Sequence, residues 1–349
     1  MKITAKSFAP VLEVTRGDTI ESVHYGAIAV VDPQGNLVRA YGDPHAVTFL
    51  RSAAKPFQAL PFIEAGGHQH YHLTQEEIAV MCASHSGTDA HVAVVARIQQ
   101  KAGLEEGQLM CGAHMPYDQP TADAMFLRGE KPTANRHNCS GKHTGMLAFA
   151  KMNGEPLENY LEIEHPLQQR ILQALADLSA APRDEIHLGT DGCSAPNFAL
   201  SLFHAAWAWA RLADPSGLPE QRADACHTIT AAMTAYPEMV SGPGEFDTAV
   251  MEAKKGCLLV KAGAEGYQGI GIVPGAVAPG SPALGVAIKI ADGDGFRRAR
   301  SAVSLEVLRQ LGVLSAEDLE AVQKFGPVKP VLNWRKLEVG EMRPVFDLN

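Results

Sequence analysis

The sequence lacks the features that mark several large protein classes. Its 349 residues carry 30 lysines and arginines against 39 aspartates and glutamates, a net charge of −9, and no basic run stands out. This balance argues against a nucleic-acid surface and against an anionic membrane partner. No apolar stretch is long enough to span a bilayer, and the first residues lack the apolar core of a secretory signal. We therefore predict a cytoplasmic protein that acts on a small molecule.

Cysteine is sparse and scattered. The six cysteines are Cys82, Cys111, Cys139, Cys193, Cys226 and Cys257. Their spacing is not that of a dense disulfide scaffold, so reduced thiols or metal ligands are the better interpretation. Internal repeats, low-complexity tracts and glycine–serine linkers are also missing from the sequence. We predict a single catalytic domain that covers residues 1–349.

The apolar periodicity changes twice along the chain. Strand-like alternation at both ends gives way to helical spacing in the middle, where Thr74 and Glu77 form a candidate capping box. The predicted strands are 24–31, 37–41, 257–262, 269–273 and 284–290, and the predicted helices include 91–101, 167–178, 198–212 and 294–311. This order predicts an α+β fold: a mainly antiparallel sheet flanked by helices, with a helical lobe at about residues 70–250 inserted between the N-terminal and C-terminal strands.

Ser52 and Lys55 are the first candidate catalytic pair, in the run Arg51-Ser-Ala-Ala-Lys-Pro-Phe-Gln58. Three-residue spacing on a helix places an amine beside a hydroxyl, and a lysine held neutral can take the proton of a serine nucleophile. Pro56 suits the first turn of a helix, and apolar residues follow at helical spacing. Isolated matches of this kind also occur on solvated helix faces.

Ser84 and Lys261 are further candidates for chemistry. Ser84 lies in Cys82-Ala-Ser-His-Ser-Gly87, where a predicted helix meets a glycine-containing turn that can expose a hydroxyl to a cleft. Lys261 lies within an apolar strand followed by small residues, so its amine could project into a cavity and act as a second base. Simple turn formation at Ser84 and a solvent-facing strand lysine are the alternatives.

Two glycine-broken segments suggest a metal site. Residues 136–145 contain Cys139 between His137 and His143, and residues 190–197 contain Cys193. Ligand preference alone favours zinc held by Cys139, Cys193 and one of the two histidines, although two unrelated structural thiols explain nearly as much. In the second segment, Asp191 could bind the ammonium group of an amino-acid substrate or simply form a turn.

Taken together, five motifs in order strongly resemble the Rhizobium-type L-asparaginases, also called the asparaginase II family, over nearly the whole chain. They are Arg51-Ser-Ala-Ala-Lys-Pro-Phe-Gln58, Ala83-Ser-His-Ser86, Asn138-Cys-Ser-Gly-Lys-His-Thr-Gly145, Gly189-Thr-Asp-Gly-Cys-Ser-Ala-Pro-Asn197 and Lys261-Ala-Gly-Ala-Glu-Gly266. The resemblance implies a fold similar to serine β-lactamases and glutaminases, and it implies a homodimer.

The resemblance also implies roles for individual residues. Ser52 with Lys55 and Ser84 with Lys261 would form two serine–lysine tandems. Cys139, Lys142 and Cys193 would bind zinc, and the zinc would organise the substrate site. In this set, Lys142 takes the place of the histidine that ligand preference alone suggested. The expected reaction is hydrolysis of the side-chain amide of L-asparagine through an acyl-serine, with Ser52 attacking. By charge and motif position, Arg51 would bind the substrate carboxylate and Asp191 its ammonium.

Two other functions remain open from the sequence. In a zinc amidohydrolase or deaminase, metal-bound water would attack directly and the serines would be bystanders. A non-catalytic protein that binds zinc or an amino acid would keep the same residues without turnover. Asparagine and glutamine also differ by only one methylene, which a pocket discriminates by about 1–3 kcal/mol.

Overall fold

The computed structural model describes residues 4–348. Two compact units are present. Unit 1 comprises Met1–Ala53, Leu200–Asp214 and Ala249–Asn349, and unit 2 comprises Ala54–Ala199 and Pro215–Thr248. No helix within residues 4–348 is both long and apolar enough to cross a membrane. The interpretation of the chain as a single catalytic domain stays a prediction.

The described residues form eleven β-strands and thirteen α-helices. The strands are β1 (Ala9–Arg16), β2 (Thr19–Val31), β3 (Leu37–Tyr41), β4 (Val47–Phe49), β5 (His187–Thr190), β6 (Pro196–Ser201), β7 (Leu258–Gly263), β8 (Tyr267–Ile272), β9 (Leu284–Ile290), β10 (Lys329–Leu332) and β11 (Glu338–Pro344). The helices are α1 (Lys55–Glu64), α2 (Gly67–His70), α3 (Gln75–Met81), α4 (Asp89–Ala102), α5 (Gln119–Leu127), α6 (Ser140–Met152), α7 (Pro166–Ser179), α8 (Leu202–Ala213), α9 (Glu220–Ala235), α10 (Pro237–Val240), α11 (Phe246–Ala253), α12 (Ala299–Gln310) and α13 (Ala316–Ala321).

Unit 1 is built on an antiparallel sheet in the order β10-β11-β1-β2-β9-β8-β7, with β3 paired to β2. The register of β2 against β9 places Ile28 opposite Ile288, so the N-terminal and C-terminal strands join in one sheet as predicted. Both side chains are fully buried. The antiparallel α+β class is therefore confirmed.

Helices cover both faces of this sheet. On β8, Gly269 faces Trp209 of α8, whereas the neighbouring Gln268 accepts a hydrogen bond from Arg300 of α12. Successive residues of a strand point to opposite faces, so α8 and α12 lie on opposite sides. The approach of α8 is close: a Cβ atom at Gly285 would lie 1.8 Å from the carbonyl oxygen of Ala206.

Unit 2 is mainly helical, and α1 forms its centre. Every residue of α1 from Lys55 to Ile63 is buried. This helix contacts α6, α7 and α9. A helix that is apolar on all sides is stable only when other elements surround it. Unit 2 contains most of the range 70–250 that the sequence analysis assigned to a helical lobe.

The predicted capping box of α3 is confirmed. The Thr74 hydroxyl accepts from the backbone N–H of Glu77, and the Glu77 carboxylate accepts from the N–H of Thr74. Buried Glu77 also pairs with Lys101 at 2.7 Å. These bonds fix the start of the helix that leads to Ser84.

Two predicted helices begin later than expected. The predicted helix 198–212 is wrong at its start, because β6 extends to Ser201 and the Ser201 hydroxyl then caps α8 by accepting from the N–H of His204. The predicted helix 294–311 begins only at Ala299, because Asp294 lies before the helix and its carboxylate accepts from the N–H groups of Arg298 and Ala299 at the helix start. Short apolar runs do not distinguish a buried strand from a helix.

Candidate active site

Ser52 lies on a 3-10 turn, Arg51–Ala54, that follows β4. Helix α1 begins three residues after the serine, with Pro56 in its first turn. Arg51 has a positive φ of 52°, in the left-handed region that non-glycine residues rarely occupy. Such strain costs about 1–3 kcal/mol and persists mainly where function requires it. Ser52 and Lys55 were expected on one helix from their spacing, whereas the structure places Ser52 on the turn before the helix that Lys55 begins.

In unit 1, the strand that carries Lys261 lies against the segment that leads to Ser52. Lys261 is fully buried on β7, and its Nζ donates to the carbonyl oxygen of Ala262 at 2.8 Å. Two residues later, a Cβ at Gly263 would lie 2.4 Å from the carbonyl oxygen of Leu50. Only glycine permits this approach of β7 to the chain just before Arg51.

In unit 2, Lys55 contacts Ser84. The Lys55 side chain is 1% exposed, and its Nζ lies 2.8 Å from Ser84 Oγ, 2.6 Å from the carbonyl oxygen of Ala83 and 3.3 Å from that of Asn138. The amine thus reaches a half-buried hydroxyl from within the interior of the unit. This pairing differs from the predicted tandems, which were Ser52 with Lys55 and Ser84 with Lys261.

The segment with Ser84 follows α3 and is held on two sides. The backbone N–H of Ser84 donates to the carbonyl oxygen of Val240 at 3.0 Å, and the carbonyl oxygen of Ser86 accepts from the N–H of Asp118 at 3.0 Å. We call residues 83–87 the Ser84 segment. Its backbone is fixed by long-range hydrogen bonds instead of by a helix or strand.

A glycine-containing loop, which was not predicted from the sequence, lies beside this segment. Gly242 has φ +144°, and a Cβ there would lie 2.2 Å from Ser86 Oγ. The buried Ser86 hydroxyl has no hydrogen-bond partner within residues 4–348. Thr248 holds the loop, because its hydroxyl donates to the carbonyl oxygen of Gly242 at 2.8 Å. The Gly-Pro-Gly run at 242–244 was the available signal, since such dipeptides mark turns.

A second cluster surrounds the start of α6. Cys139, Lys142 and Cys193 are all buried, and Lys142 Nζ lies 3.0 Å from Cys193 Sγ. Helix α6 approaches α3 closely here: a Cβ at Gly141 would lie 2.1 Å from the carbonyl oxygen of Val80. Gly141 therefore allows Lys142 and Cys139 to lie beside the end of the helix that leads to Ser84.

The groups of this cluster influence one another's charge. A hydrogen bond with Cys193 lowers the pKa of Cys139 well below its usual value, against the effect of burial, and the charges of Lys55 and Lys142 add to this effect. Burial alone would lower the pKa of Lys142, but Cys193 and Cys139 raise it above its usual value. The cluster thus favours a thiolate at Cys139 beside an ammonium at Lys142.

His143 lies next to the same cluster. Its Nδ1 lies 2.6 Å from the hydroxyl oxygen of Tyr160. Burial, reinforced by Lys142, lowers the pKa of His143 to about 4, although Cys193 acts in the opposite direction. His137 instead accepts the backbone N–H of Cys139 at its Nδ1, at 3.0 Å, which orients the thiol segment.

The donor set of this cluster fits zinc. Two thiolates and a nitrogen ligand are a common zinc environment, and zinc can displace the proton of an amine. Within residues 4–348, no group of three or more histidine, cysteine, aspartate or glutamate side chains is arranged to hold a metal ion. The expected set reaches three ligands only if Lys142 is counted. The structure does not assign His137 or His143 to the set.

Asp191 and Arg51 lie in different units. Asp191 precedes a tight turn in which its Oδ1 accepts the N–H of Gly192 at 2.7 Å, and its charge helps to raise the pKa of Lys142. It is therefore close to the thiol cluster of unit 2. Arg51 belongs to unit 1, on the turn described above.

The fold and these side chains together define a class: an α+β protein in which a buried lysine contacts a serine hydroxyl beside a cluster of thiols and an amine. The L-asparaginase II family matches residues 12–344. The chain belongs to the L-asparaginase II family, and it is an amidohydrolase acting on a small amide. No curated protein matches the sequence significantly.

Solved structures with a similar fold include glutaminases and a β-lactamase. A Bacillus glutaminase is 11% identical, with a TM-score of 0.40 over 83% of this chain and 92% of that one. A probable glutaminase from Bacillus subtilis is 12% identical, with a TM-score of 0.39 over 82% and 84%. A β-lactamase from Burkholderia ambifaria is 13% identical, with a TM-score of 0.37 over 81% and 93%. These distant likenesses carry none of the functional argument below.

Proposed function

We propose that the protein hydrolyses the side-chain amide of L-asparagine to L-aspartate and ammonia through an acyl-serine. The observation that carries the proposal is the contact of 2.8 Å between Lys55 Nζ and Ser84 Oγ. A hydroxyl is a poor nucleophile until a neighbouring base accepts its proton. The choice of asparagine follows the family.

The proposed reaction has two steps. A serine Oγ attacks the amide carbon as its proton passes to a lysine amine, and the lysine then returns the proton to the departing nitrogen, which leaves as ammonia. Water attacks the resulting ester, restores the serine and releases aspartate. Lys55 serves Ser84 in this scheme. Ser52 is the sequence-based choice for the attacking hydroxyl, and Lys261 would be the lysine that accepts its proton.

The remaining predicted residues would bind the substrate or a metal ion. Arg51 would pair with the α-carboxylate of the substrate and Asp191 with its α-ammonium. Cys139, Lys142 and Cys193 would hold zinc, which when bound supplies a fixed positive charge that organises the substrate site. Proton transfer in this scheme belongs to the lysines alone. The active form would be a homodimer, as the family resemblance implied.

The test is ammonia release from L-asparagine and L-glutamine by the wild type, Ser52→Ala and Ser84→Ala. We expect each variant to lose at least about 100-fold in kcat, because a nucleophile or its proton partner is removed. Ser179→Ala is the control, since Ser179 is a buried serine of unit 2 at the end of α7. Peptide mass spectrometry of a stopped reaction should find an aspartyl ester on one of the two serines.

Full activity in both serine variants would refute the acyl-serine mechanism. If chelation also abolished turnover of the folded protein, a zinc-bound water would be the attacking group. A wild type that releases no ammonia from either amide, yet binds asparagine, would be a non-catalytic binding protein.

A further inference from the structure

A buried histidine joins the Ser84 segment to the start of α6. His85 is fully buried. Its Nδ1 accepts the backbone N–H of Gly87 at 3.2 Å, and its Nε2 lies 2.9 Å from Ser140 Oγ. Ser140 directly follows Cys139. We call residues 135–142 the Cys139 segment.

The hydrogen bonds determine which nitrogen of His85 carries the proton. The N–H of Gly87 can only donate, so Nδ1 must present its lone pair and Nε2 must carry the hydrogen. Nε2–H then donates to Ser140 Oγ, and the Ser140 hydroxyl in turn donates to the carbonyl oxygen of Asn135 at 3.0 Å. The three groups form a directional chain in which each donor has an acceptor.

The same two segments are joined at two other points. Lys55 contacts Ser84 and Ala83 in one segment and the carbonyl oxygen of Asn138 in the other. Arg136 donates to the carbonyl oxygen of Gly87 at 2.9 Å. Among these links, the His85–Ser140 bond is the one that joins the direct neighbours of two candidate site residues. His85 follows Ser84, and Ser140 follows Cys139. A shift at either end would move both.

We infer that His85 is a positioning residue, whose Nε2–H bond to Ser140 holds the Ser84 hydroxyl against Lys55 and holds Cys139 and Lys142 in place. This inference rests on the proposed function, because it assigns a task only if Ser84 and the thiol cluster act on the substrate. The imidazole itself exchanges no proton with substrate. Burial, followed by the charges of His91 and Lys55, lowers the pKa of His85 well below its usual value, which favours the neutral imidazole that the hydrogen bonds require.

The experiment compares four variants: His85→Leu, His85→Gln, Ser140→Ala and the double variant His85→Leu with Ser140→Ala. Groups that orient metal ligands or reactive residues typically change metal affinity or activity by about 10–100-fold. We expect losses of this size in kcat and in the affinity for added zinc from His85→Leu and Ser140→Ala, with KM for L-asparagine changed much less. Glutamine can donate from its amide to Ser140, so His85→Gln should recover most of both losses.

The double variant tests whether the two residues act as one unit. If His85 acts through Ser140, the double variant should be no worse than the poorer single variant. The matched control is His165→Leu. His165 is also buried in unit 2, its Nδ1 also accepts an N–H two residues ahead, from Leu167 at 3.1 Å, and its Nε2 lies 3.0 Å from a carbonyl oxygen of Pro156. His165→Leu should lower stability and leave kcat unchanged.

Two results would overturn the inference. One is a His85→Leu protein that resembles His165→Leu, less stable but with full kcat and full zinc affinity; the other is strictly additive losses in the double variant. If His85→Leu does not fold, Ser140→Ala gives the same readouts. If the wild type hydrolyses no amide, the proposed function fails, and the role of His85 is then tested by zinc affinity and by the imidazole ¹⁵N spectrum. An Nε2–H signal that shifts in Ser140→Ala supports the link between His85 and Ser140. A ring protonated at Nδ1 refutes it.

Discussion

The interiors of the two units differ in polarity. Among residues 4–348, unit 2 buries His85, His91, His137, His143 and His165, whereas the buried histidine of unit 1 is His24, which contacts Asp292. Unit 1 is filled mostly by paired apolar residues such as Ile28 and Ile288. Buried polar groups cost free energy unless their hydrogen bonds are complete, so an apolar interior is the simpler way to stability. The polar interior of unit 2 is therefore better explained by the geometry of reactive groups.

The largest expected effect comes from Lys55→Met in unit 2. Methionine keeps much of the volume but removes the amine that contacts Ser84, so kcat for ammonia release should fall by about 10²–10⁴-fold. The carbonyl oxygens of Ala83 and Asn138 lose a donor, at a cost of about 1–3 kcal/mol in the free energy of unfolding.

Steady-state kinetics and urea denaturation measure the two effects of Lys55→Met. Lys131→Met, at an exposed lysine of the same unit, is the control and should change neither. A Lys55→Met protein with full activity would mean that the polar interior of unit 2 has no part in the reaction.

In unit 1, Ile28→Ala should have the opposite effect to Lys55→Met: a large loss of stability without a loss of activity. Ile28 is fully buried on β2, between β3 and β9. The cavity should reduce the free energy of unfolding by about 2–5 kcal/mol. Below the unfolding transition, kcat should remain that of the wild type, because Ile28 contributes volume and no chemistry. Denaturant titration and kinetics on the same preparation test both statements, and a large loss of kcat would show that the contrast between the units is too simple.

Gly242→Ala tests the loop beside the Ser84 segment. Alanine at φ +144° is strained, and its Cβ would displace Ser86, so the variant should lose about 1–3 kcal/mol of stability together with part of its kcat. Gly217→Ala is the matched control: it lies in an exposed loop of unit 2, and a Cβ there has no heavy atom within 4 Å. Equal behaviour of the two variants would remove the loop from the site.

The smallest effect is a pH dependence of stability. Burial lowers the pKa of both His85 and His91 below the ordinary value of 6.5. As the pH falls through 6.5, the unfolded chain binds protons that the folded chain does not, so the free energy of unfolding must decrease. Each such histidine contributes up to about 1.4 kcal/mol per pH unit.

Urea denaturation from about pH 7.5 to about pH 5.5 measures this slope. His85→Gln should reduce the slope of the free energy of unfolding against pH by the contribution of one histidine, since glutamine does not titrate. An unchanged slope would mean that His85 takes up a proton in the folded protein.

Periodicity predicted most of the fold and little of the site geometry. The 24–31 and 37–41 hairpin and the three strands 257–262, 269–273 and 284–290 correspond to β2, β3, β7, β8 and β9. Their alternation is a local property, whereas β11 pairs with the first strand from the far end of the chain, and β10 pairs with β11. β10 has only four residues, and β11 contains a glycine and three charged residues, so neither carries a strong local signal and both were missed.

The site escaped prediction because its contacts join distant residues. Lys55 reaches Ser84, 29 residues away, and Asn138, 83 residues away, and neither distance follows from a helical or strand period. The motifs identified Lys55, Ser84, Cys139 and Cys193 as candidates, but they did not indicate that Lys55 would contact Ser84. The Gly242 loop and the His85–Ser140 bond depend on backbone approaches that only coordinates reveal.

The left-handed backbone at Arg51 has a consequence for protein engineering. Glycine adopts φ +52° without penalty, so Arg51→Gly should relieve the local backbone strain. A laboratory evolution campaign that screens only for survival at high temperature would not select against this change, even though it deletes the guanidinium next to Ser52. Libraries built on this scaffold should therefore keep codon 51 constant, or should screen for turnover in every round.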